Sequence, residues 1–466
     1  MATLMTPIRT EAERQGADCN SYRLLILSSS GTKIFLANHD GNWALPAVNV
    51  PPFSRVVDEI NQLVRKSWNI TTTLLFLAVS GTQSQELSHA VLEAPNECSV
   101  LPGFAICDVS EALSRLHGSE GARLLTSTLA RLADTNGQAR RAPFGTLGWI
   151  YTLLEWVKQA SGSDNIQSFS QLSGSDDTAL IRFHTSSTEL WYKAVGESDP
   201  RELRITSDLW SRVPQYLPRI VAFDPERKAW LMESGGEPLR ERGDHESWRA
   251  VARQLAAMEM DSVDHAADIL RAGCIDLRVS TLKSLIRPFF EFISDLMKLQ
   301  VKNPPSPLTG SELEIIAHTV SAALSSIESL GLPEVIGHGD FNPGNVLLRP
   351  NQIVFIDWSA AFVGSPALTL EYLLSHFERN CNVNPEQKAS MRNAYAEQWL
   401  SSVPKLKLER LMDASPLIAV YASAIADDTW RNPERLAYPG AAGYLRSLAR
   451  IMKREAESFS RRRLHA

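Results

Sequence analysis

Gly337-His338-Gly339-Asp340-Phe341-Asn342-Pro343-Gly344-Asn345, with Ile356-Asp357-Trp358 a short way downstream, constrains this chain more than any other stretch. It sets an Asp, an Asn five residues later, and a second Asp at the end of an apolar run. Pro333-Glu334-Val335-Ile336 leads into the loop and Val346-Leu347-Leu348 leaves it as a strand. Arg349-Pro350-Asn351-Gln352 is turn chemistry, and Ile353-Val354-Phe355-Ile356 is the β-branched and aromatic run of a buried strand. Two strands joined by a tight turn are expected to bring Asp340, Asn345 and Asp357 together. A lone His-Gly-Asp is usually only a turn, because Gly tolerates positive φ and Asp bonds its own backbone. The joint occurrence with a strand-terminal Asp-Trp points instead to phosphoryl transfer.

The protein kinase catalytic loop has this spacing: an Asp that accepts the substrate hydroxyl proton, an Asn on magnesium, and a later Asp on magnesium that bridges the nucleotide phosphates. The segment resembles the aminoglycoside phosphotransferase and choline kinase group of small-molecule kinases, which carries His-Gly-Asp-x4-Asn, a strand, and Asp-Trp. The resemblance implies that Asp340 is the catalytic base, that Asn345 and Asp357 hold magnesium, and that His338 buttresses the loop. It continues into Ala361-Phe362-Val363-Gly364-Ser365-Pro366, similar to the group's Gly-x-Pro step into a helix. Two positions depart from the group: Ser359 stands where an acidic residue often follows Asp-Trp, and Thr369 where the next helix often has an Asp.

A site of this kind needs an earlier β-rich lobe that supplies a lysine for the phosphates and a carboxylate to hold it. Glu189 to Val195 reads as a strand, and its Lys193 matches the group's phosphate lysine. Taken alone, a lysine in such a strand would as readily face solvent. Glu202, in the first turn of the next helix, is the expected partner; it also complements the helix dipole. Gln171-Leu172 and Thr178 to Phe183 read as strands around Ser173-Gly174-Ser175-Asp176-Asp177, where backbone N–H groups and the hydroxyls of Ser173 and Ser175 are candidates for phosphate contact. Arg219 to Phe223 and Ala229 to Met232 form a further hairpin ending in Glu233-Ser234-Gly235. This resembles the group's hinge, with backbone near Glu233 and Gly235 reading the adenine edge of ATP. Beyond Gly235 the chain reads as helical over 248–260, 280–299, 311–330, 367–377, 386–400 and 416–430. Asp427, Asp428 and Trp430 form a possible acceptor cluster or, equally, a solvated helix end.

A chain of 466 residues calls for two domains or three. Its net charge of −6 argues against a nucleic-acid binder held by backbone contacts, and Arg461-Arg462-Arg463 reads as a solvated helix end. The 5 cysteines are scattered with no Cys-x2-Cys pair, so neither a zinc site nor a disulfide framework is indicated. Met1 to Asn20 lacks the apolar core of a signal peptide, and no apolar run spans a bilayer. The expectation is a cytoplasmic protein, with no membrane or nucleic-acid partner and an oligomeric state left open.

In the first third, Tyr22 to Leu27 and Thr32 to Ala37 read as a hairpin, followed by Gly41-Asn42-Trp43-Ala44-Leu45-Pro46, a helix over Ser54 to Ser67 and a strand from Thr71. Val109 to Leu132 reads as mainly helical. This order resembles the Nudix hydrolase fold. Matching Trp68-Asn69-Ile70 to the end of that family's motif puts Val48 at its glycine, Ser54 at the first glutamate and Gln62 at the arginine. Leu63, Lys66 and Ser67 then fall at the remaining glutamates. None of the carboxylates that a magnesium-dependent hydrolase needs is present. Thr135 to Pro143 is polar, basic and Gly/Pro-punctuated, a domain boundary; Leu147 to Gln159 follows as a Trp-rich packing helix.

The sequence thus predicts an α+β protein. Residues 1–142 form a Nudix-like domain without the catalytic Nudix box. Residues 143–466 form an aminoglycoside phosphotransferase-like kinase domain of two lobes, about 146–234 and about 237–466. The expected activity is ATP- and magnesium-dependent transfer of phosphate to a hydroxyl of a small molecule. The alternatives are an inactive nucleotide-binding scaffold and, further off, a Nudix hydrolase.

Overall fold

Residues 24–27 of the first strand read Leu-Leu-Ile-Leu, and the computed structural model explains that unbroken apolar run: there β1 (Asn20–Ser28) is buried on both faces. Alternate side chains of a strand point to opposite sides. Leu24 and Ile26 pack with Val57, Ile60 and Val64 of helix α1 (Val56–Trp68), whereas Leu25 and Leu27 join Leu124, Leu125 and Leu153 in a second core. The structure describes residues 19–39, 41–52, 54–80, 87–95, 103–133, 143–162, 165–196, 199–242, 244–381 and 383–464. The boundary expected over 135–143 (apart from Pro143), nearly all of the N-terminal twenty residues, and Cys98 lie outside them.

The described chain falls into two compact units. One holds Arg219–Ser234 together with the described residues up to Leu203. Its first part is the sheet of β1, β2 (Lys33–His39), β3 (Asn42–Ala44), β4 (Ala47–Val50), β5 (Thr73–Ser80), β6 (Leu87–Ala94) and β7 (Phe104–Asp108). The order is β3-β2-β1-β6-β5, with β4 on β1 and β7 on β2; the expected β1–β2 hairpin is present, and β1 runs parallel to β6. Helices α2 (Val109–Arg115) and α3 (Glu120–Ala133) divide the helical stretch expected from 109 to 132, with Gly118 at φ +75 between them. The Trp-rich helix α4 (Trp149–Ser161) buries Trp149, Ile150, Leu153 and Val157.

The second sheet of this unit is antiparallel in the order β11-β12-β10-β9-β8, from β8 (Ile166–Gly174), β9 (Ala179–Thr185), β10 (Glu189–Ala194), β11 (Ile220–Asp224) and β12 (Ala229–Glu233). Its Ile181, Phe183, Tyr192 and Leu231 belong to the same buried cluster as Leu25 and Leu125, so one core runs across the 142/143 junction. Polar ties accompany it. The register shift in β5 between Leu74 and Phe76 opens the backbone there, and the buried Gln171 amide fills the gap. Its Oε1 accepts from Leu74 N at 2.7 Å and its Nε2 donates to Leu74 O at 3.2 Å. Without that amide two buried backbone groups lose their partner, at about 1–3 kcal/mol each. The buried Glu93 carboxylate accepts from Gly148 N at 2.8 Å just before α4. Burial pushes that carboxyl above its ordinary range. By contrast the ion pair Arg131–Asp176, at 2.5 Å, is half exposed; such pairs add at most about 1 kcal/mol.

The other unit, Arg204–Pro218 with Gly235–Ala466, is mostly helical. Helix α5 (Arg201–Arg212) contributes all but its first turn. After it come β13 (Glu237–Pro238), α6 (Leu239–Arg242), α7 (His245–Asp261), α8 (Ala266–Ala272), β14 (Ile275–Leu277), α9 (Val279–Lys298) and α10 (Gly310–Leu330). The motif region follows as β15 (Val335–His338), β16 (Val346–Arg349), β17 (Gln352–Phe355) and β18 (Ala361–Gly364). It is followed by α11 (Leu368–Asn380), α12 (Pro385–Trp399), α13 (Lys405–Ala426), α14 (Pro433–Leu436) and α15 (Ala441–Leu464). Two small sheets, β13-β16-β17 and β14-β18-β15, frame the motif. No helix among the described residues is long and apolar enough to cross a membrane.

Helix α13 begins eleven residues before the expected start at Pro416, because this proline lies inside the helix. Proline lacks an N–H and frees the carbonyl four residues earlier. That carbonyl, of Met412, accepts from Arg392 Nη1 at 3.2 Å, and Arg392 also pairs with the buried Glu371 at 2.6 Å. Trp430 is not part of an acceptor cluster: it is buried against Phe289 and Phe292. Asp428 is an exposed helix-end residue at φ +55.

Candidate active site

The loop between β15 and β16 is organised by its own side chains. Asn342 Oδ1 accepts from Gly344 N at 2.8 Å, and Asn345 N donates to Asn342 O at 2.9 Å, which turns the chain tightly. The register Val346↔Phe355 sets Asn345 opposite Ile356, whose N–H donates to Asn345 O at 3.0 Å. Asp357 follows at once, at φ +66, in the left-handed region that few residues other than Gly adopt. The two strands therefore deliver Asp340, Asn345 and Asp357 to one end of a hairpin.

His338 is fully buried and joins the two sides. Its Nε2 meets Ile356 O at 2.9 Å, its Nδ1 accepts from Asp340 N at 3.3 Å, and its ring packs 4.6 Å from that of Trp358. An imidazole that accepts at Nδ1 and donates from Nε2 is the neutral form. Thr369, where the family often has an Asp, accepts the His338 N–H through Oγ1 at 2.9 Å. Ser359 donates to Asp357 Oδ1 at 3.0 Å. Both departures from the family pattern thus lie inside the site's hydrogen-bond network.

The two oxygens of Asp340 differ. Oδ1 accepts from Asn342 Nδ2 at 3.0 Å and from Tyr372 Oη at 3.1 Å. Among the described residues Oδ2 has a single long contact, 3.4 Å from Asn345 Nδ2, which donates more closely to Asp340 O at 2.9 Å. The nitrogen of the Asn345 amide is thus turned toward Asp340, which leaves its oxygen on the far side. Burial and the neighbouring Asp340 push the Tyr372 phenol up, so it stays a proton donor. His376 packs against Tyr372 with tilted rings, centroids 4.8 Å apart; burial and then the Arg379 guanidinium push its pKa down to about 4, which keeps it neutral. Thr369, Tyr372 and His376 share one face of α11. Sequence reading missed Tyr372, whose only signal is this helical phase relative to Thr369.

Helix α11 is itself anchored. Ala367, at φ +70 before its first turn, donates its N–H to Tyr395 Oη at 2.8 Å, and Tyr395 bonds the fully buried Glu259 of α7. Burial raises Glu259 from 4.5 to about 8, so it is protonated at neutral pH.

On the other unit, Lys193 Nζ lies 2.6 Å from Glu202 Oε1, and both are largely buried. The expected lysine–carboxylate pair is formed. Glu233 spends its carboxylate on Arg219, at 2.7 Å, and its N–H on Arg219 O at 3.0 Å; Ser234 N donates to Glu189 O at 2.9 Å. Ser173 is exposed at the end of β8. The hydroxyl of Ser175 caps its own turn, accepting from Asp177 N and Thr178 N, each at 3.1 Å. Gly235, on the helical unit, is fixed by packing: a Cβ there would lie 2.3 Å from Leu347 Cδ1.

A model of the phosphotransferase enzyme family matches residues 139–407, more than half of the chain. The chain belongs to this family. No curated protein matches the sequence. Among solved structures, a choline kinase from Streptococcus pneumoniae is 14% identical, with 66% of this chain and 99% of that one covered and a TM-score of 0.41. An ethanolamine kinase from Plasmodium vivax is 13% identical, covering 72% and 96%, with a TM-score of 0.44. A spectinomycin phosphotransferase in complex with ADP and spectinomycin is 16% identical, covering 66% and 98%, with a TM-score of 0.39.

Two outcomes follow. A carboxyl whose folded pKa exceeds its unfolded value stabilises fully below the unfolded value and loses that contribution as pH rises through the folded one. Unfolding free energy of the native chain, measured in urea, should therefore fall between pH 4.5 and about 8 by more than that of Glu259→Gln. Tyr372→Phe should lower kcat about threefold to tenfold, the worth of one hydrogen bond, and leave the nucleotide KM unchanged in steady-state assays.

Proposed function

We propose that this protein transfers the γ-phosphate of ATP to a hydroxyl group of a small molecule, with Asp340 as the general base. The observation that carries the reading is the unequal treatment of the Asp340 oxygens: Tyr372 and Asn342 hold Oδ1, and among the described residues Oδ2 keeps only the long contact to Asn345. Oδ2 is then the atom that takes the acceptor's proton as its oxygen bonds to phosphorus and ADP leaves. Holding Oδ1 fixes the carboxylate plane, so that the acceptor oxygen is met at a defined angle. The amide oxygen of Asn345 and the carboxylate of Asp357 are hard oxygen donors suited to magnesium, which when bound supplies charge neutralisation for the phosphates. Lys193, oriented by Glu202, adds a fixed positive charge for the phosphates of the nucleotide. The backbone near Glu233 and Gly235 would meet the adenine edge, with the N–H groups of Glu233 and Ser234 already engaged.

The first module, strands β1–β7 with helices α1–α3, has no chemical part in this reading. Val48, Leu63 and Ser67, at the Nudix-motif positions, line a cleft of about 390 Å³ with Trp68 and Phe104. None of the described residues that line it is a carboxylate, the ligand type that a magnesium-dependent hydrolase needs.

The test is ATP turnover with magnesium across amino alcohols, sugars, nucleosides and aminoglycosides. Acceptor-dependent turnover should appear with one class and fall about 100- to 10,000-fold in Asp340→Asn, the usual worth of a general base. Equal turnover by the native chain and Asp340→Asn would refute the assignment of the base.

A further inference from the structure

Beside the shared core, polar bonds among the described residues tie the first module to the second sheet of its unit at the end of β8 and the turn 174–178. Gln171 grips the Leu74 backbone from β8, and its Nε2 lies 2.9 Å from where a Cβ on Gly174 would sit. The amide thus reaches Leu74 only because residue 174 has no side chain. Two residues on, Asp176 is held twice. Its carboxylate pairs with Arg131 of α3 at 2.5 Å, and its carbonyl accepts from Phe144 N at 3.0 Å. Arg131 is in turn seated over the Phe76 ring of β5, 3.7 Å from the centroid. Asp177 closes against Gly196, where a Cβ would lie 2.2 Å from Asp177 Oδ2, three residues beyond Lys193.

The tip of a hairpin at the edge of a sheet is ordinarily among the least restrained parts of a fold. A turn that presents N–H groups to phosphate loses affinity if it must be ordered on binding. This turn has one glycine and no glycine-rich loop that could fold over a nucleotide. Ser175 caps it from within, and Arg131 and the Gln171–Leu74 bonds tie it to the first module.

We propose that the first module is a brace for the nucleotide-binding sheet: Arg131 and Gln171 are positioning residues that hold the turn 174–178 ready for the phosphates of ATP. The proposal rests on the reading of Lys193 and this turn as the nucleotide site. It gives the first module a role without chemistry of its own and makes its presence a requirement for tight nucleotide binding. Because the Arg131–Asp176 pair is half exposed, it can be removed without unfolding the chain.

The experiment is calorimetric titration of the full chain with the magnesium complex of the β,γ-imido analogue of ATP, with melting temperature measured alongside. Arg131→Asp should weaken binding about five- to twentyfold at an unchanged melting temperature, as loss of preorganisation does. Adding Asp176→Arg to it should restore most of the affinity, which a merely structural role would not produce. Gln171→Leu should weaken binding in the same range. Native affinity in both Arg131→Asp and Gln171→Leu, with binding lost in Lys193→Ala, would overturn the brace and leave the nucleotide site standing. Native affinity in Lys193→Ala as well would overturn the nucleotide site and the brace with it.

Discussion

The buried imidazole of His338 is the contact on which the rest of the site depends. One ring nitrogen holds the backbone of Asp340 and the other the carbonyl of Ile356, one residue before Asp357. The loop that carries one acidic group and the strand end that carries the other are thus fixed to a single rigid ring. Burial makes this tie strong, since losing either bond would leave a polar group without a partner in the core. Thr369 then locks the His338 backbone to α11, and α11 brings Tyr372 onto Asp340. The chain of contacts continues through Ala367 to Tyr395 and Glu259, so the geometry of one carboxylate oxygen is secured by three helices far apart in sequence.

A contrast between the units follows. On the helical unit the site is held by buried hydrogen bonds within a single core. On the sheet unit the lysine–glutamate pair is local, nine residues apart, whereas the neighbouring turn is tied to the first module by Arg131 and by the grip of Gln171 on the Leu74 backbone. A phosphotransferase needs both a rigid base and an ordered phosphate loop. On the proposed reading this chain secures each by a different physical means, and the motif's own residues account for the first alone.

Legibility in the sequence follows the same division. The hairpin 346–355 and its flanking acidic groups were readable because strand, turn and strand are contiguous and each has its own composition. The Lys193–Glu202 pair was readable because its spacing is short. Tyr372 was not, since its partner is thirty-two residues away and only helical phase connects it to Thr369. Helix α13 was read as starting at Pro416, where proline ordinarily marks a first turn; in the fold Arg392 compensates for the missing bond. Gln171 looked like an ordinary strand residue, because the backbone gap it fills is created by a register shift nearly a hundred residues earlier. Trp430 was open between a binding aromatic and a helix-end residue; it is core, because the helix stops at Ala426 and the following turn folds the ring onto Phe289 and Phe292.

The central claim is that the hairpin ending at Asp357 assembles the metal–nucleotide side of a phosphoryl-transfer site, with Asp340 on the acceptor side. Manganese in place of magnesium makes this directly measurable by electron paramagnetic resonance in the presence of ATP. The account predicts that Asp340→Asn keeps the tight, nucleotide-dependent manganese signal and that Asp357→Asn loses it. Retention of the native signal by Asp357→Asn would contradict the assignment.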